Sequence, residues 1–404
     1  MSSLPTPSEQ LQILRRGTDG IVPEEDLLKK LESSATTGRP LQVKLGLDPT
    51  APDIHLGLAV VLRKLRQFQD LGHVATIIIG DFTAMIGDPS GKSLTRKQLS
   101  LDEVRDNART YEEQYTKILD PAKTKVTFNS QWLGALSFHD VILLTAHVTV
   151  ARVLERDDFA NRLAQNRPLS LHELLYPISQ AYDSVELRSD VELGGTDQRF
   201  NILMGRDLQR EYGQEPQVAL FTPLLVGLDG VQKMSKSLGN YVGVSEPAES
   251  QFAKLLSISD DLMPKYYELC TELPESMYAP LIAQLPMEAK KRLAVEVISY
   301  FHSPEAAQHA RTEWERVHSQ HQLPDEVPDV DVSRSQLQEG RIWVVSLVKA
   351  LLSCGTNEAR RHVQNKAVAL EGAKVTEVDA QVELKGGEVL QVGRRHFGRI
   401  RLVD

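Results

Sequence analysis

The sequence predicts an α/β fold made of a parallel-sheet domain, an α-helical domain and a small α+β domain, in that order. Two apolar, strand-like segments (43–47 and 74–79) flank a segment, 56–71, whose apolar residues recur at helical spacing. Three basic residues are predicted on the other face of that helix: Arg63, Lys64 and Arg66. Strand, helix and strand in this order predict a parallel sheet with a right-handed crossover.

The later domains are indicated by a change of pattern after about residue 245. Helical patterns dominate residues 247–321, and a segment rich in proline and aspartate (322–331) follows with no helical period. Beyond it we predict one helix around residues 343–353, a second from Asn357, and short strands to the end. The expected division is a parallel-sheet domain at 1–245, a helical domain at 246–321, a linker at 322–334 and an α+β domain at 335–404.

Charge is spread unevenly along the chain. The net charge is −9 over 404 residues, which by itself argues against a nucleic-acid binder. Residues 335–404 contain 11 Lys/Arg and 8 Asp/Glu, a net of +3, so the first 334 residues carry about −12. A small basic domain on an acidic body is compatible with a protein that touches RNA over limited patches.

The N-terminus and the cysteines favour a cytoplasmic protein. The N-terminus has no basic region followed by an apolar run, so we expect no secretory signal. No stretch approaches the roughly 18 consecutive apolar residues of a membrane span. Cys270 and Cys354 lie far apart in helix-like sequence, and two buried, reduced thiols are favoured over a disulfide.

The strongest chemical signal is the segment Lys233-Met234-Ser235-Lys236-Ser237. Two lysines three positions apart, with hydroxyl side chains nearby, predict a cationic loop that can fold over polyphosphate. The alternative is a solvated basic turn, which is how most lysine-rich surface loops behave. The string resembles the nucleotide loop of the class I aminoacyl-tRNA synthetases.

A second segment, His55-Leu56-Gly57-Leu58, resembles the His-x-Gly-His motif of the same class, with Leu58 in place of the usual second histidine. His55 is expected at a helix N-terminus, where free N–H groups favour phosphate. Gly57 would let an adenine ring approach the backbone. Alone, His-x-Gly is explained as well by an ordinary histidine at a helix start. The lysine loop about 180 residues downstream favours the motif.

Four further segments (46–53, 87–93, 176–183 and 194–198) resemble the tyrosyl-tRNA synthetases in particular. A capped turn explains 48–50 equally well in isolation, and an ordinary polar helix face explains 176–183. The Gly-Lys-Ser string at 91–93 is not interpreted as a P-loop, because Ile86 occupies the position where that motif needs a glycine.

The resemblance implies the following roles. The catalytic residues would be His55, Thr50, Lys233 and Lys236. The ATP-binding residues would be Gly46, Asp48, His55, Gly57, Leu58, Gly195, Asp197, Lys233, Met234, Ser235, Lys236 and Ser237. The tyrosine-binding residues would be Asp88, Tyr176, Gln180, Asp183, Gln198 and Lys44, and two residues would reach toward pyrophosphate, Lys92 and Arg96.

Within that set, Asp88, Tyr176 and Gln180 are expected at the substrate's amino group, and Asp183 at its phenolic hydroxyl. Tyrosyl enzymes commonly have a tyrosine at the position of Lys44. Whether Lys44 contacts the phenol is therefore left open, and Asp183 is preferred as the partner of the phenolic hydroxyl.

The last segment resembles the small RNA-binding domain shared by a ribosomal small-subunit protein and some pseudouridine synthases. Its RNA-binding residues would be Arg360, Arg361, Lys366, Arg394 and Arg395. Where that family often has a turn glycine, this chain has Asn365, which also tolerates a left-handed conformation. A basic-tipped structural domain is the alternative.

The resemblance as a whole implies a Rossmann-like catalytic domain with an inserted helical, dimer-forming segment, an anticodon-side helical domain and an RNA-binding domain. Expected partners are ATP as substrate with Mg²⁺ bound to it, tyrosine, the tRNA for tyrosine and a second copy of the chain. No protein metal site and no membrane are expected. A tryptophanyl-tRNA synthetase is the nearest alternative, and a non-catalytic RNA-binding paralogue is the second.

Overall fold

The computed structural model describes residues 4–49, 53–88, 101–318, 327–338, 340–393 and 396–403. The chain forms two compact units, Met1–Ala307 and Gln308–Asp404. The first unit therefore contains the predicted parallel-sheet segment together with most of the predicted helical segment. The finer division at residue 245 stays a prediction.

A six-stranded sheet organises the first unit. Its strands are β1 (Gly20–Val22), β2 (Gln42–Leu47), β3 (Val74–Ile79), β4 (Thr124–Phe128), β5 (Val191–Gly195) and β6 (Val218–Thr222). Their spatial order is β1-β6-β5-β2-β3-β4, with β1 antiparallel to β6 and the other neighbours parallel. The predicted α/β, Rossmann-like class is confirmed.

Helices surround this sheet and continue to the end of the unit, and the last of them, α16, extends past Ala307 into the second unit. Between β1 and β6 they are α2 (Glu24–Thr37), α3 (Leu56–Asp70), α4 (Thr83–Ile86), α5 (Leu101–Tyr115), α6 (Ser130–Leu133), α7 (Phe138–Ala146), α8 (Val150–Leu154), α9 (Asp157–Ala164), α10 (Leu171–Leu187) and α11 (Arg199–Glu211). The others are α1 (Pro7–Arg15), α12 (Ala248–Leu256), α13 (Met263–Cys270), α14 (Glu275–Gln284), α15 (Pro286–Phe301) and α16 (Pro304–His318). In the described part of the chain, no helix is both long enough and apolar enough to span a bilayer.

The strand order places the site. From β2 the chain proceeds outward through β3 and β4, and then returns to the other side of β2 for β5 and β6. The order therefore reverses between β2 and β5. In open α/β sheets ligands bind at such a switch point, outside the carboxyl ends of the strands.

The helix between β2 and β3 departs from its prediction on one face. Arg63 and Lys64 are buried, whereas Arg66 is only half-buried. The Lys64 ammonium donates to the carbonyl oxygens of Leu14 and Arg16 at 3.0 and 2.6 Å, and burial lowers the pKa of Lys64 to about 8. The N-terminal residues and α13 cover this face of α3, so the basic side chains serve buried polar contacts.

The second unit is an α+β domain. A five-stranded sheet has the order β10-β9-β12-β13-β7, and β8 pairs with β11. The elements are β7 (Asp329–Ser333), β8 (Arg341–Trp343), α17 (Val344–Leu352), α18 (Thr356–Gln364), β9 (Val368–Leu370), β10 (Ala373–Val375), β11 (Gln381–Glu383), β12 (Val389–Val392) and β13 (His396–Val403). Helices α17 and α18 match the two predicted helices.

The linker prediction is wrong for residues 329–333, which form β7. This strand pairs in parallel with β13 and buries Val330 and Val332 on one face. Its aspartates, Asp329 and Asp331, face outward and form ion pairs with Arg401 at 3.1 and 2.6 Å. The prolines and aspartates of this segment indicated a linker, although its apolar and polar residues alternate. Such alternation is typical of a half-buried strand.

Two smaller expectations also change. Asn365 has an ordinary φ of −76°, and the left-handed residue after α18 is Lys366, with φ 56°. Cys270 is buried but Cys354 is only half-buried, and both are free thiols.

The assignment of β7 is tested by Val332→Ala, which removes two buried methyl groups. We expect the second unit to lose about 2 kcal/mol of unfolding free energy. Amides of β13 that exchange through unfolding of the unit should then exchange roughly 30-fold faster with deuterium. The exposed control Gln336→Ala should leave them unchanged. Equal exchange in both variants would mean that β7 is not part of the sheet.

Candidate functional site

A cavity of about 1170 Å³ opens at the carboxyl ends of β2 and β5. Of the predicted catalytic, ATP-binding and tyrosine-binding residues, those that line it are Gly46, Asp48, His55, Gly57, Leu58, Asp88, Tyr176, Gln180, Asp183, Gly195, Asp197, Gln198, Lys233, Met234, Ser235, Lys236 and Ser237. Lys44 is described but does not belong to the lining. Thr50, Lys92 and Arg96 lie outside the described residues. One cavity thus collects side chains that are almost 200 residues apart in the chain.

The Asp48 carboxylate lies at the end of β2 and holds two neighbouring elements. The hydroxyl of Thr83 in α4 donates to Oδ1 at 2.9 Å, and the hydroxyl of Tyr176 in α10 donates to Oδ2 at 2.8 Å. A Cβ at Gly80 would lie 1.9 Å from Asp48 Oδ1, so this position after β3 has room only for glycine. Burial and the Asp48 charge raise the pKa of Tyr176 well above its usual value, so Tyr176 remains a donor.

A buried arginine orients Asp88, the residue predicted at the substrate's amino group. Arg156 Nη2 lies 3.0 Å from Asp88 Oδ1, and Gln198 Nε2 donates to Oδ2 at 2.9 Å. Arg156 also contacts Asp158 at 2.7 Å and Asn201 at 3.0 Å. The sequence analysis missed Arg156, because an arginine between α8 and α9 belongs to no motif and meets Asp88 only through folding.

Polar side chains from α10 and α11 form one connected wall. Asn201 Nδ2 donates to Gln180 Oε1 at 3.0 Å and to Gln198 Oε1 at 2.9 Å. These bonds orient both predicted glutamines, leaving the Gln198 amide directed at Asp88. Asn201 is a further residue that no motif indicated.

Asp183 occupies an enclosed end of the cavity. Its Oδ1 accepts from the indole N–H of Trp132 at 2.8 Å, and its Oδ2 lies 3.5 Å from the amide of Asn129. Burial raises the pKa of Asp183 to about 7, while the charge of Lys44 and the hydrogen bond from Trp132 act in the opposite direction. The carboxylate is therefore a hydrogen-bond acceptor with donors already on both oxygens.

His55 caps the N-terminus of α3, as predicted. Its Nδ1 accepts from the Leu58 N–H at 3.2 Å, so the proton of the neutral ring resides on Nε2. Burial, followed by the charges of Lys236 and Lys233, lowers the pKa of His55 to about 4. At neutral pH His55 is thus an uncharged N–H donor. Leu58 takes part in this cap through its backbone, which the change of its side chain leaves intact.

The lysine loop is anchored to α3 and to its own flank. The Met234 side chain is buried, and its sulfur accepts from the Gly57 N–H at 3.3 Å. Asn240 Oδ1 accepts from the Ser235 N–H at 2.8 Å, and Asn240 Nδ2 donates to Asp229 at 2.7 Å. Met234 and Asn240 therefore hold the two lysines at the mouth of the cavity.

The two lysines of the loop have different surroundings. Lys233 Nζ lies 2.7 Å from Asp197 Oδ2, which joins two residues predicted to bind the nucleotide. Lys236 Nζ lies 5.3 Å from the centre of the Tyr111 ring, and burial lowers the pKa of Lys236 to about 8. A cation that is poorly solvated is well suited to attract phosphate, because its charge is weakly screened.

The predicted RNA-binding residues belong to the second unit. In the second unit Arg360, Arg361 and Lys366 are exposed, and the Arg360 guanidinium lies 5.3 Å from the Trp343 ring. Arg394 and Arg395 are outside the described residues. Among the residues described, no group of three or more His, Cys, Asp or Glu side chains could hold a metal ion.

The charge state of His55 gives a first test of this geometry. In an NMR titration His55 should titrate near pH 4, and Lys236→Met should raise its pKa because the second-largest cause of the depression is removed. The exposed control Lys265→Met should leave the titration in place. A midpoint near pH 6.5 in the unmodified chain would contradict the enclosed cap.

Comparisons with known proteins agree with this arrangement. The family model described as tRNA synthetases class I (W and Y) matches residues 36–319. The tyrosine–tRNA ligase of Moorella thermoacetica is 56% identical over 400 residues, covering 97% of this chain and 96% of its own. That of Aquifex aeolicus is 50% identical over 396 residues, covering 98% of this chain and 99% of its own.

Solved structures show the same fold at low identity. A C-terminally truncated mitochondrial tyrosyl-tRNA synthetase of Aspergillus nidulans has a TM-score of 0.63 at 21% identity, over 77% of this chain and 94% of that one. The tyrosyl-tRNA synthetase of Archaeoglobus fulgidus, solved with L-tyrosine, has a TM-score of 0.60 at 22% identity, over 76% and 99%. With the family model and the full-length relatives, the chain belongs to the tyrosyl-tRNA synthetases, within class I of the aminoacyl-tRNA synthetases.

Proposed function

We propose that the chain joins tyrosine to ATP, giving tyrosyl-adenylate and pyrophosphate, and then transfers the tyrosyl group to the 3′-terminal ribose of the tRNA for tyrosine. The observation that carries this proposal is the single cavity at the switch point. It combines an amino-acid end, with Asp88, Tyr176 and Asp183, and a phosphate end, with His55 and the lysine loop. The names of the full-length relatives support the same reaction.

The amino-acid end offers a partner for each end of tyrosine. Asp183 would accept from the phenolic hydroxyl, and Asp88 would bind the α-ammonium group with help from Tyr176 and Gln180. A carboxylate at each end of the pocket matches a hydroxyl donor and a cation at opposite ends of the substrate. Gln198 lies 2.9 Å from Asp88, next to where the substrate's carboxylate would be.

In the first step the tyrosine carboxylate attacks the α-phosphorus of ATP, the new C–O–P link forms, and pyrophosphate leaves. The carboxylate is already ionised at neutral pH, so no general base is required. Catalysis is then positioning and stabilisation of negative charge. On one side of the phosphates, His55 would donate from Nε2 and the N-terminus of α3 would add its dipole. Lys233 and Lys236 would act on the other side of the phosphates.

The ion pair between Lys233 and Asp197 fits a role in nucleotide binding. Ribose hydroxyls would take the place of Lys233 at Asp197, and the released ammonium would meet the phosphates. Mg²⁺ would enter with ATP and neutralise part of the phosphate charge. Thr50, Lys92 and Arg96 are proposed to add contacts at the phosphate side.

In the second step a terminal ribose hydroxyl of the tRNA attacks the mixed anhydride and AMP leaves. Arg360, Arg361 and Lys366 are exposed cations on the second unit. With Arg394 and Arg395 they are proposed to contact RNA phosphates, which fixes position more than sequence. The helical segment 246–321 is proposed to face the anticodon side.

We also propose that the chain forms a homodimer and acts in the cytoplasm. Large exposed apolar side chains concentrate on α7 to α10, a grouping that favours association. The residues are Phe138 (81% exposed), Ile142 (51%), Leu143 (52%), Val150 (65%) and Leu171 (78%). A second copy of the same surface would cover them.

The reaction is tested by ATP–pyrophosphate exchange that depends on tyrosine. Lys233→Ala and Lys236→Ala should each lower the exchange rate about 10²-fold, because each removes a charge that acts on the reacting phosphates. The surface variant Lys265→Ala should keep the full rate. Equal exchange with tryptophan, or none with tyrosine, would refute the substrate assignment.

The dimer is tested by sedimentation at micromolar concentration. Phe138→Glu with Leu171→Glu should convert a dimer into a monomer, since charges would be buried in an apolar contact. Leu285→Glu changes an exposed leucine (55% exposed) outside that surface and should leave the dimer intact. An unmodified chain that sediments as a monomer would contradict this part of the proposal.

A further inference from the structure

Beneath the phenol end of the cavity lies a buried ion pair that no motif predicts. Lys44 and Glu192 are neighbours in register on the parallel strands β2 and β5, and each is 1% exposed. Lys44 Nζ lies 2.9 Å from Glu192 Oε1. A charge pair with so little contact with water is costly to bury. It therefore calls for an explanation beyond stability.

The position of Lys44 explains why it does not line the cavity. Residues i and i+2 of a strand share a face, so Lys44 and Gly46 point to the same side of the sheet. Gly46 lines the cavity, and Lys44 is one step further from the carboxyl end of β2. Lys44 therefore lies next to the lining of the pocket without belonging to it.

The two members of the pair are held differently. Glu192 accepts from Ser184 at 3.1 Å and from Gln180 at 3.3 Å, and it also accepts from Gln217. No described residue accepts a well-formed hydrogen bond from the Lys44 ammonium. The ammonium lies close to a Glu192 oxygen, but its N–H groups are poorly aligned with that oxygen. A buried cation whose donors are so poorly used is a source of positive potential toward α10.

Asp183 is the group on α10 that feels this potential. The charged groups that act on Asp183 are Lys44 of β2 and Glu192 of β5. The uncharged donors Trp132, in α6, and Asn129, just before α6, also face it. Lys44 favours the ionised carboxylate and Glu192 opposes it. Both act across a dry interior, where charges are weakly screened.

We propose that Lys44 and Glu192 are positioning residues that set the charge of Asp183, and thereby the selectivity for a phenolic hydroxyl. This rests on the proposed function, in which Asp183 accepts from that hydroxyl. Only the ionised carboxylate is a pure acceptor. A protonated Asp183 carries its own O–H and discriminates less well against phenylalanine.

The test exploits the opposite signs of the two charges. Lys44→Met removes the cation and raises the pKa of Asp183, so the fall of kcat/KM for tyrosine on acidification moves to higher pH. Glu192→Gln removes the anion and moves that fall to lower pH. At pH 6 the first variant should have a KM for tyrosine about tenfold higher than the unmodified chain. The double variant should lie between the two.

Pyrophosphate exchange between pH 5.5 and 9 measures these profiles, with kcat and KM separated. Exchange with phenylalanine is the comparison substrate: it has no hydroxyl to donate to the ionised carboxylate, so it should not show the acid-side fall seen with tyrosine. Lys30→Met removes a buried lysine of α2 that pairs with Glu215 at 2.8 Å, and Glu186→Gln changes an exposed glutamate on α10. Both controls should keep the original profile.

The outcomes separate the two proposals. No exchange with tyrosine in the unmodified chain would refute the proposed function itself. Exchange with profiles that move in the same direction in both variants, or do not move, would reduce Lys44 and Glu192 to structural residues. A KM raised equally at all pH values by Lys44→Met would instead indicate direct contact with the phenol. If Lys44→Met does not fold, the shift in Glu192→Gln decides alone.

Discussion

The arrangement of the site depends on one half-buried carboxylate, that of Asp48. It ends β2 and accepts hydrogen bonds from α4 and α10, so three elements meet at one side chain. The contact is possible because Gly80 has no Cβ to occupy the same space. Tyr176 is thereby fixed at the amino-acid end of the cavity. Loss of the Asp48 carboxylate would displace both the end of β2 and the helix that carries Gln180 and Asp183.

Charge is balanced in and around this cavity before any substrate is bound. Arg156 compensates Asp88, Lys233 lies against Asp197, and Lys44 lies against Glu192. Each pair keeps a charged group in a defined place, and the pair of Lys44 and Glu192 does so almost without contact with solvent. In the proposed reaction, ribose and phosphates would take over the contacts of Asp197 and Lys233, whereas the pairs of Arg156 and Lys44 would remain. In that reaction the site would thus use one exchangeable ion pair and two permanent ones.

The local motifs pointed to side chains that the fold brings together in one cavity, and the roles of these side chains stay predictions. His55 caps α3 and lies near Lys236, and the residues of α10 at positions 176, 180 and 183 all line the cavity. Such predictions work because helix spacing, a cap or a lysine loop is encoded in consecutive residues. Arg156, Asn201 and Trp132 were missed for the converse reason. Each acts on a residue at least 20 positions away, and nothing in its own neighbourhood marks it.

By itself, the sequence determined the parallel α/β class, the helices that follow, and the cationic character of the lysine loop, since all three depend on local pattern. The tertiary structure alone decided that β7 is a strand, because a five-residue alternation gains meaning only beside β13. It also decided the position of Lys44. A lysine in an apolar strand is ambiguous until the neighbouring strand places Glu192 beside it and α10 places Asp183 above it. Burial and partner charge, which decide what an ionisable group does, are properties of the packed interior.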